Sequence, residues 1–106
     1  MTFRVRFARP TAGESFDRLP RPIQRYFNDR FDLLERNPRT RTATLDIHQL
    51  WGYTNVWALA KGKAWRAVYA IDGMEVVFIV FGPHETVYLV LHQLHPPDGR
   101  YVSPRA

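Results

Sequence analysis

Two residues in the second half of the chain have side chains suited to phosphate and acid–base chemistry. Arg66 lies within an apolar stretch that predicts a strand, and His84 closely follows a longer apolar run. An arginine can hold a phosphate through a planar pair of hydrogen bonds, and a histidine can accept or release a proton near neutral pH. Together they could promote a reaction at a phosphate ester, which needs a base, an acid and positive charge at the phosphate. Glu85 and Tyr88 could orient either group.

Both residues also have structural explanations. His84 could cap backbone groups at the end of a strand. Arg66 could pair with Glu75 across the hairpin that Asp72-Gly73 predicts. Counting outward from that turn places Arg66 opposite Ile79, so a direct pair between Arg66 and Glu75 is not expected. The partner of the arginine therefore stays open.

A second group of residues could contact a nucleic acid. His48 could be a second catalytic histidine if its segment lines the sheet, or a half-buried structural one. Trp51 is the best candidate for an exposed platform, since stacking on an aromatic ring contributes about 1–3 kcal/mol per base. Trp65 shares a strand face with Tyr69 and is expected to pack in the core. The candidate RNA-binding residues are His48, Trp51, Lys61, Lys63, Arg39 and Arg41. For the charged ones the alternative is a solvated basic face.

The composition favours an anionic partner and excludes some chemistry. Lysine and arginine together number 15 against 10 acidic residues, a net charge of +5, and basic small domains often bind polyanions. The chain has no cysteine, which excludes disulfides, thiol catalysis and cysteine-based zinc sites. His92 and His95 lack a third ligand, so we expect neither a metal site nor a cofactor.

The sequence shows no sign of export or membrane insertion. The first ten residues carry arginines where a signal peptide needs an apolar run, and the longest apolar run, residues 76–81, is too short to span a bilayer. We therefore expect a cytoplasmic protein that does not enter a membrane.

The apolar periodicity predicts a single α+β domain over residues 1–94 and a flexible tail over residues 95–106. An N-terminal strand is predicted over residues 3–8, followed by a helix pair. Ser15 is expected to cap a short helical turn over residues 15–19, and Pro22 to begin a longer helix that ends at Asn37. The helices must bury their apolar stripe on one face of the sheet.

The second half predicts an antiparallel meander of three to four strands. Strands are expected over residues 55–60, 64–71 and 74–81, with a last edge strand over residues 87–91. Residues 45–50 could form a short strand or an extended loop.

The combined pattern resembles the RelE/ParE superfamily of toxins from type II toxin–antitoxin systems. The resemblance lies in the helix ending LLERNP, the segment LDIHQLWG, the strand WRAVYAID and the closing GPHETVY, and it covers roughly residues 14–88. It implies a metal-independent endoribonuclease that cuts messenger RNA, often on the ribosome, and thereby inhibits translation. It also implies a small, acidic antitoxin as partner. Relatives in the ParE branch instead poison DNA gyrase.

The resemblance assigns roles to individual residues. It implies that Arg66 holds the scissile phosphate, that His84 acts as acid or base and that Tyr88 orients the nucleotide. Well-known ribosome-dependent members carry lysines nine and seven residues before this arginine, where the present chain has Trp57 and Leu59. A histidine-based mechanism therefore fits better than a lysine-based one. A gyrase inhibitor or a catalytically silent binding protein remains the alternative.

Overall fold

A five-stranded sheet with helices on both of its faces forms the protein. The computed structural model describes residues 2–94 and 99–102. In chain order the elements are β1 (Arg4–Phe7), α1 (Thr11–Asp17), α2 (Arg21–Asn28), α3 (Phe31–Arg36), β2 (Ile47–Gln49), β3 (Val56–Lys61), β4 (Trp65–Asp72), β5 (Glu75–Pro83) and α4 (His84–Leu94). The strand order is β1-β5-β4-β3-β2. β1 runs parallel to β5, whereas the other neighbours are antiparallel. The predicted α+β class and meander are confirmed.

The first face of the sheet carries the larger core, against α1, α2 and α3. Successive strand residues point to opposite faces, so alternate side chains of β4 and β5 enter this core. The residues buried most deeply here include Phe27, Leu34, Leu59, Tyr69 and Phe78. The Tyr69 hydroxyl donates a hydrogen bond to the Pro38 carbonyl at 2.8 Å, which satisfies the one polar atom that this ring buries.

The helix α1 begins earlier than predicted and uses Ser15 differently. The helix starts at Thr11, so Ser15 lies inside it rather than at its N-terminus. The buried Ser15 hydroxyl donates to the Ala12 carbonyl at 3.0 Å and accepts the Phe81 backbone N–H at 2.9 Å. The expected cap is therefore wrong, because the serine satisfies a strand donor instead of a helix donor.

The predicted long second helix is divided into α2 and α3 near Arg30. The Arg30 backbone N–H turns to the Phe27 carbonyl at 3.0 Å. Nη1 of the Arg30 guanidinium donates a hydrogen bond to the Tyr26 carbonyl at 3.0 Å. Nε of the same side chain donates to the Thr44 carbonyl at 2.8 Å. The arginine side chain thus replaces the helical bond that the break removes.

The last predicted edge strand, residues 87–91, is wrong: this segment belongs to the helix α4. Val87 and Leu91 are four residues apart and lie on one helical face, where both are fully buried. They pack with Val68 and Ile79 on the second face of the sheet. Helices therefore cover both faces, rather than one as predicted. No helix among the described residues is long and apolar enough to cross a bilayer.

Part of the predicted flexible tail packs on this second face. Tyr101 is buried, and its backbone N–H and carbonyl both bond the side chain of the buried Asn55, each at 3.0 Å. Gly99 forms an isolated parallel bridge with Tyr53. Residues 95–98 and 103–106, the rest of the predicted tail, lie outside the described residues.

The β4–β5 register differs from the one counted from the turn. Asp72 pairs with Glu75, and an irregularity between Val68 and Tyr69 shifts the remaining pairs. Arg66 therefore lies opposite Gly82 rather than Ile79. The expectation that Arg66 does not pair with Glu75 is confirmed, because Glu75 binds Arg6 at 3.1 Å.

Candidate functional site

Arg66 occupies an open position on the second face of the sheet. Its neighbours in the adjacent strands are Ala60 of β3 and Gly82 of β5. These are the two smallest residue types, so neither flanking strand raises a bulky side chain beside the guanidinium. Directly before β2, the Asp46 carbonyl accepts the Ala60 N–H at 2.8 Å.

Backbone carbonyls hold one arm of the Arg66 guanidinium. Nη1 donates to the Gly62 carbonyl at 2.9 Å and to the Trp65 carbonyl at 2.8 Å. Nε is buried and has no hydrogen-bond partner among the described residues. A buried donor without a partner costs free energy, and a guanidinium can bind an anion through two of its nitrogens.

His48 lies on the short edge strand β2 and faces the same side of the sheet as Arg66. It pairs with Ala58, which in turn pairs with Val68, two residues beyond Arg66 on β4. Partial loss of hydration lowers the pKa of the exposed His48 imidazole from its ordinary 6.5, and the positive charge of Arg66 lowers it further. Arg41 and His84 act in the same direction, whereas Asp46 opposes them. The lowered pKa favours the uncharged form of the imidazole.

His84 is the first residue of α4 and enters the site from the other side of Arg66. Its backbone N–H donates to the Ala64 carbonyl at 2.8 Å, which ties the start of α4 to the start of β4. Its exposed imidazole meets the Tyr88 ring nearly edge-on, with centroids 5.1 Å apart. The bond to Ala64 thus uses the backbone N–H of His84 and does not involve the nitrogens of its imidazole.

The structure brings together three of the predicted residues as a cluster, His48, Arg66 and His84. Tyr88 joins it through the His84 ring, and Arg41 is held beside it by an ion pair with Asp46 at 3.1 Å. Trp51 is exposed, as expected, with 92% of its surface accessible. It follows β2 at the end of the segment that carries His48.

Two other predicted residues, Lys61 and Arg39, lie on the first face of the sheet, away from the cluster. Lys61 points to the first face, where its Nζ sits 5.1 Å from the centre of the Tyr26 ring. The Arg39 guanidinium lies 5.6 Å from the centre of the Phe3 ring, on the same side. Lys63 lies exposed in the β3–β4 turn, and Glu85 is exposed on α4.

Trp57 and Leu59 also face away from the cluster. Leu59 is fully buried in the first core, and Trp57 packs against that core. Alternation along β3 instead turns Ala58 and Ala60 toward the cluster. Sequence reasoning missed the two alanines and Asp46, although the alternation of β3 around its buried residues was a signal for the alanines.

In the described part of the chain, no group of three or more histidine, aspartate or glutamate side chains is arranged to hold a metal ion. The chemistry that this arrangement offers is that of two imidazoles and a guanidinium on one face of the sheet.

Comparisons with known proteins identify the fold. No family model matches the chain, and no curated protein matches it in sequence. The RelE–RelB complex from the archaeon Pyrococcus horikoshii contains a chain with 22% identity and a TM-score of 0.64, the match covering 81% of the present chain and 99% of that one.

Two further solved structures agree. The RelB–RelE antitoxin–toxin complex from Methanococcus jannaschii matches with 18% identity and a TM-score of 0.63, covering 79% of the present chain and 95% of that one. The YoeB dimer from Staphylococcus aureus matches with 16% identity and a TM-score of 0.64, covering 77% and 97%. The chain therefore has the fold of the RelE and YoeB proteins, as the sequence resemblance implied.

Proposed function

We propose that this chain is the toxin of a type II toxin–antitoxin system and acts as an mRNA endoribonuclease that needs no metal ion. The observation that carries the proposal is the cluster of His48, Arg66 and His84 on one open face of a RelE-like fold. A fold alone is compatible with many functions. The cluster adds the base, the acid and the phosphate-binding cation that RNA cleavage requires.

The sheet order supports a division of roles. β2 and the start of α4 lie on opposite sides of β4, so the two histidines flank Arg66. In-line displacement at phosphorus needs the attacking and leaving oxygens on opposite sides. His48, with its lowered pKa, removes the proton of the 2′-hydroxyl. His84 donates a proton to the departing 5′-oxygen.

Arg66 stabilises the charge that develops during this step. The 2′-oxygen forms a bond to phosphorus while the bond to the 5′-oxygen breaks, which yields a 2′,3′-cyclic phosphate and a free 5′-hydroxyl. The negative charge on the phosphorane is greatest at the transition state, where the forked guanidinium binds it most strongly. Tyr88, in contact with His84, can position the nucleotide.

Cleavage of a defined messenger RNA, with and without translating ribosomes, tests the proposal. The wild type should give cyclic-phosphate ends, and EDTA, added only to the reaction without ribosomes, should not prevent them. His84→Ala should slow turnover about 10²–10⁴-fold, whereas Thr86→Ala, exposed in the same turn of α4, should not. Equal rates for wild type and His84→Ala would remove His84 from the mechanism.

A protein antitoxin is the proposed partner. The P. horikoshii and M. jannaschii matches are both RelE–RelB complexes, and the net charge of +5 favours an acidic partner. A small acidic protein encoded beside this gene should bind the chain and suppress its effect on growth when the two are co-expressed. Undiminished toxicity with every neighbouring product would contradict this part of the proposal.

The second candidate is inhibition of DNA gyrase. The resemblance leads us to expect lysines at positions 57 and 59 of a ribosome-dependent endoribonuclease. This chain has Trp57 and Leu59 there, and both pack in the first core. Supercoiling by purified gyrase separates the candidates: inhibition without any RNA cleavage, with ribosomes present, would favour this one.

A further inference from the structure

A pocket of about 240 Å³ adjoins the catalytic cluster on the second face of the sheet. Its six lining residues come from the β2–β3 connection and from α4, and they are Leu50, Trp51, Tyr53, Tyr88, Leu91 and His92. We call this the Trp51 pocket. Four of its side chains are aromatic rings and two are leucines, so the lining contains no carboxylate.

The walls of the Trp51 pocket differ in depth. Tyr53 and Leu91 are buried and form its floor. The Trp51 ring, 92% exposed, stands at the rim. An indole that gains almost nothing from packing within its own chain is available to stack on a flat partner.

Two elements lead from the catalytic cluster into this pocket. On β2 the chain passes from His48 to Trp51 within three residues. On α4 the positions of His84, Tyr88 and His92 recur every four residues and therefore share one side of the helix. The pocket begins at Tyr88, about one helical turn of ~5.4 Å from His84.

We propose that the Trp51 pocket binds one base of the RNA, in a nucleotide next to the scissile phosphate, and thereby sets the sequence preference of cleavage. This inference rests on the function proposed above. The volume lies below the roughly 300–1,000 Å³ of pockets for drug-sized ligands, which suits a single base better than a larger compound. The shared Tyr88 connects the base in this pocket to a phosphate at Arg66.

Binding of RNA that cannot be cleaved tests the pocket separately from catalysis. The probe is a fluorescein-labelled tetranucleotide with 2′-O-methyl groups at every sugar, measured by fluorescence anisotropy. Trp51→Ala should weaken binding roughly 5- to 150-fold, the range that corresponds to about 1–3 kcal/mol of stacking per base. Trp51→Phe should retain most of the affinity. Leu89→Ala, which removes a 65% exposed apolar residue of α4 outside the pocket, is the matched control.

A second probe set locates the base. Each tetranucleotide in this set lacks the base at one position. Removal of one particular base should weaken the binding of the tetranucleotide to the wild type. The same removal should change its affinity for Trp51→Ala only slightly, because the two changes remove the same contact. Equal affinity of wild type and Trp51→Ala, or a full additional loss in the variant, would overturn the proposal. A Trp51→Ala variant that loses affinity for the antitoxin but not for RNA would overturn it as well.

The outcomes for the pocket and for the proposed function can be told apart. Trp51-dependent binding by a protein that never cuts RNA would support the pocket and contradict the endoribonuclease. RNA cleavage by the wild type, together with equal RNA affinity of wild type and Trp51→Ala, would support the endoribonuclease and contradict the pocket.

Discussion

Arg66 and Gly82 lie directly opposite each other on β4 and β5, and this pairing keeps the arginine open on one side. A β-carbon added at Gly82 would lie 3.5 Å from Val87 of α4, which shows how closely the helix passes here. On the other side Ala60 leaves similar room. Backbone carbonyls thus fix the guanidinium through Nη1, and small residues flank the arginine in both adjacent strands.

Arg66→Lys should impair RNA cleavage almost as strongly as Arg66→Ala. Lysine keeps the charge but loses the planar fork and the two bonds from Nη1, so it cannot hold a phosphate in one orientation. We expect a loss of about 10²–10³-fold in kcat for the alanine variant. Single-turnover cleavage measures it. Arg4→Ala, an exposed arginine on β1, is the control, and full activity of Arg66→Lys would show that charge alone suffices.

The pKa of His48 should rise when Arg66 is replaced by alanine. The positive guanidinium disfavours the protonated imidazole, so its removal moves the pKa upward toward 6.5. Arg41→Ala should raise it less, and Asp46→Asn should lower it further. Titration of the imidazole signals by NMR measures each shift without any assay of activity. An unchanged pKa of His48 in Arg66→Ala would show that the charge of Arg66 does not act on His48.

The rate of cleavage should follow the same titration. If His48 is the base, the acid limb of kcat/KM against pH lies below pH 6.5 in the wild type, because the pKa is lowered. Arg41→Ala should move that limb to higher pH. If the acid limb of kcat/KM lies at the same pH in Arg41→Ala as in the wild type, the base is a group other than His48.

Ser15→Ala should destabilise the protein by about 1–3 kcal/mol, because it leaves the buried Phe81 N–H without its acceptor. Denaturation by urea measures the loss. Thr11→Ala, a hydroxyl deletion at the start of the same helix, is the control. A change in stability no larger than that of the control would mean that water replaces the serine.

Asn55→Ala should cost roughly 3 kcal/mol, at about 1 kcal/mol for each of its three side-chain hydrogen bonds. Asn55→Asp should be no better, because a carboxylate cannot donate to the Ile71 and Tyr101 carbonyls. Unfolding in urea and hydrogen exchange at Tyr101 measure the two effects. Asn28→Ala, exposed at the end of α2, is the control, and slow exchange at Tyr101 in Asn55→Ala would contradict the proposed role of Asn55.

The sequence was sufficient for β1, β3, β4 and β5 but not for the last helix. Apolar runs and the Asp72-Gly73 turn defined β4 and β5 within one or two residues. Val87 and Leu91 satisfy both a strand and a helical spacing, and what decides is the second face of the sheet, which the helix buries. Such a choice depends on contacts far apart in the chain.

The candidate site was predictable in its residue types and not in its arrangement. Arg66 and His84 were recognisable as polar residues around apolar strands. The position of His48 beside Arg66 could not be predicted without the strand order, because it depends on β2 pairing with β3 at the sheet edge. The break at Arg30 likewise depends on the Thr44 carbonyl, which is remote in sequence.

The bonds between Asn55 and Tyr101 have a consequence for the order in which the protein forms. A chain is synthesised from its N-terminus, and Tyr101 is among the last of the described core residues to leave the ribosome. The first core requires only residues up to Phe81, so it can pack while synthesis continues. The face that carries His48, Arg66, His84 and the Trp51 pocket is therefore completed after the first core, once Tyr101 has been made.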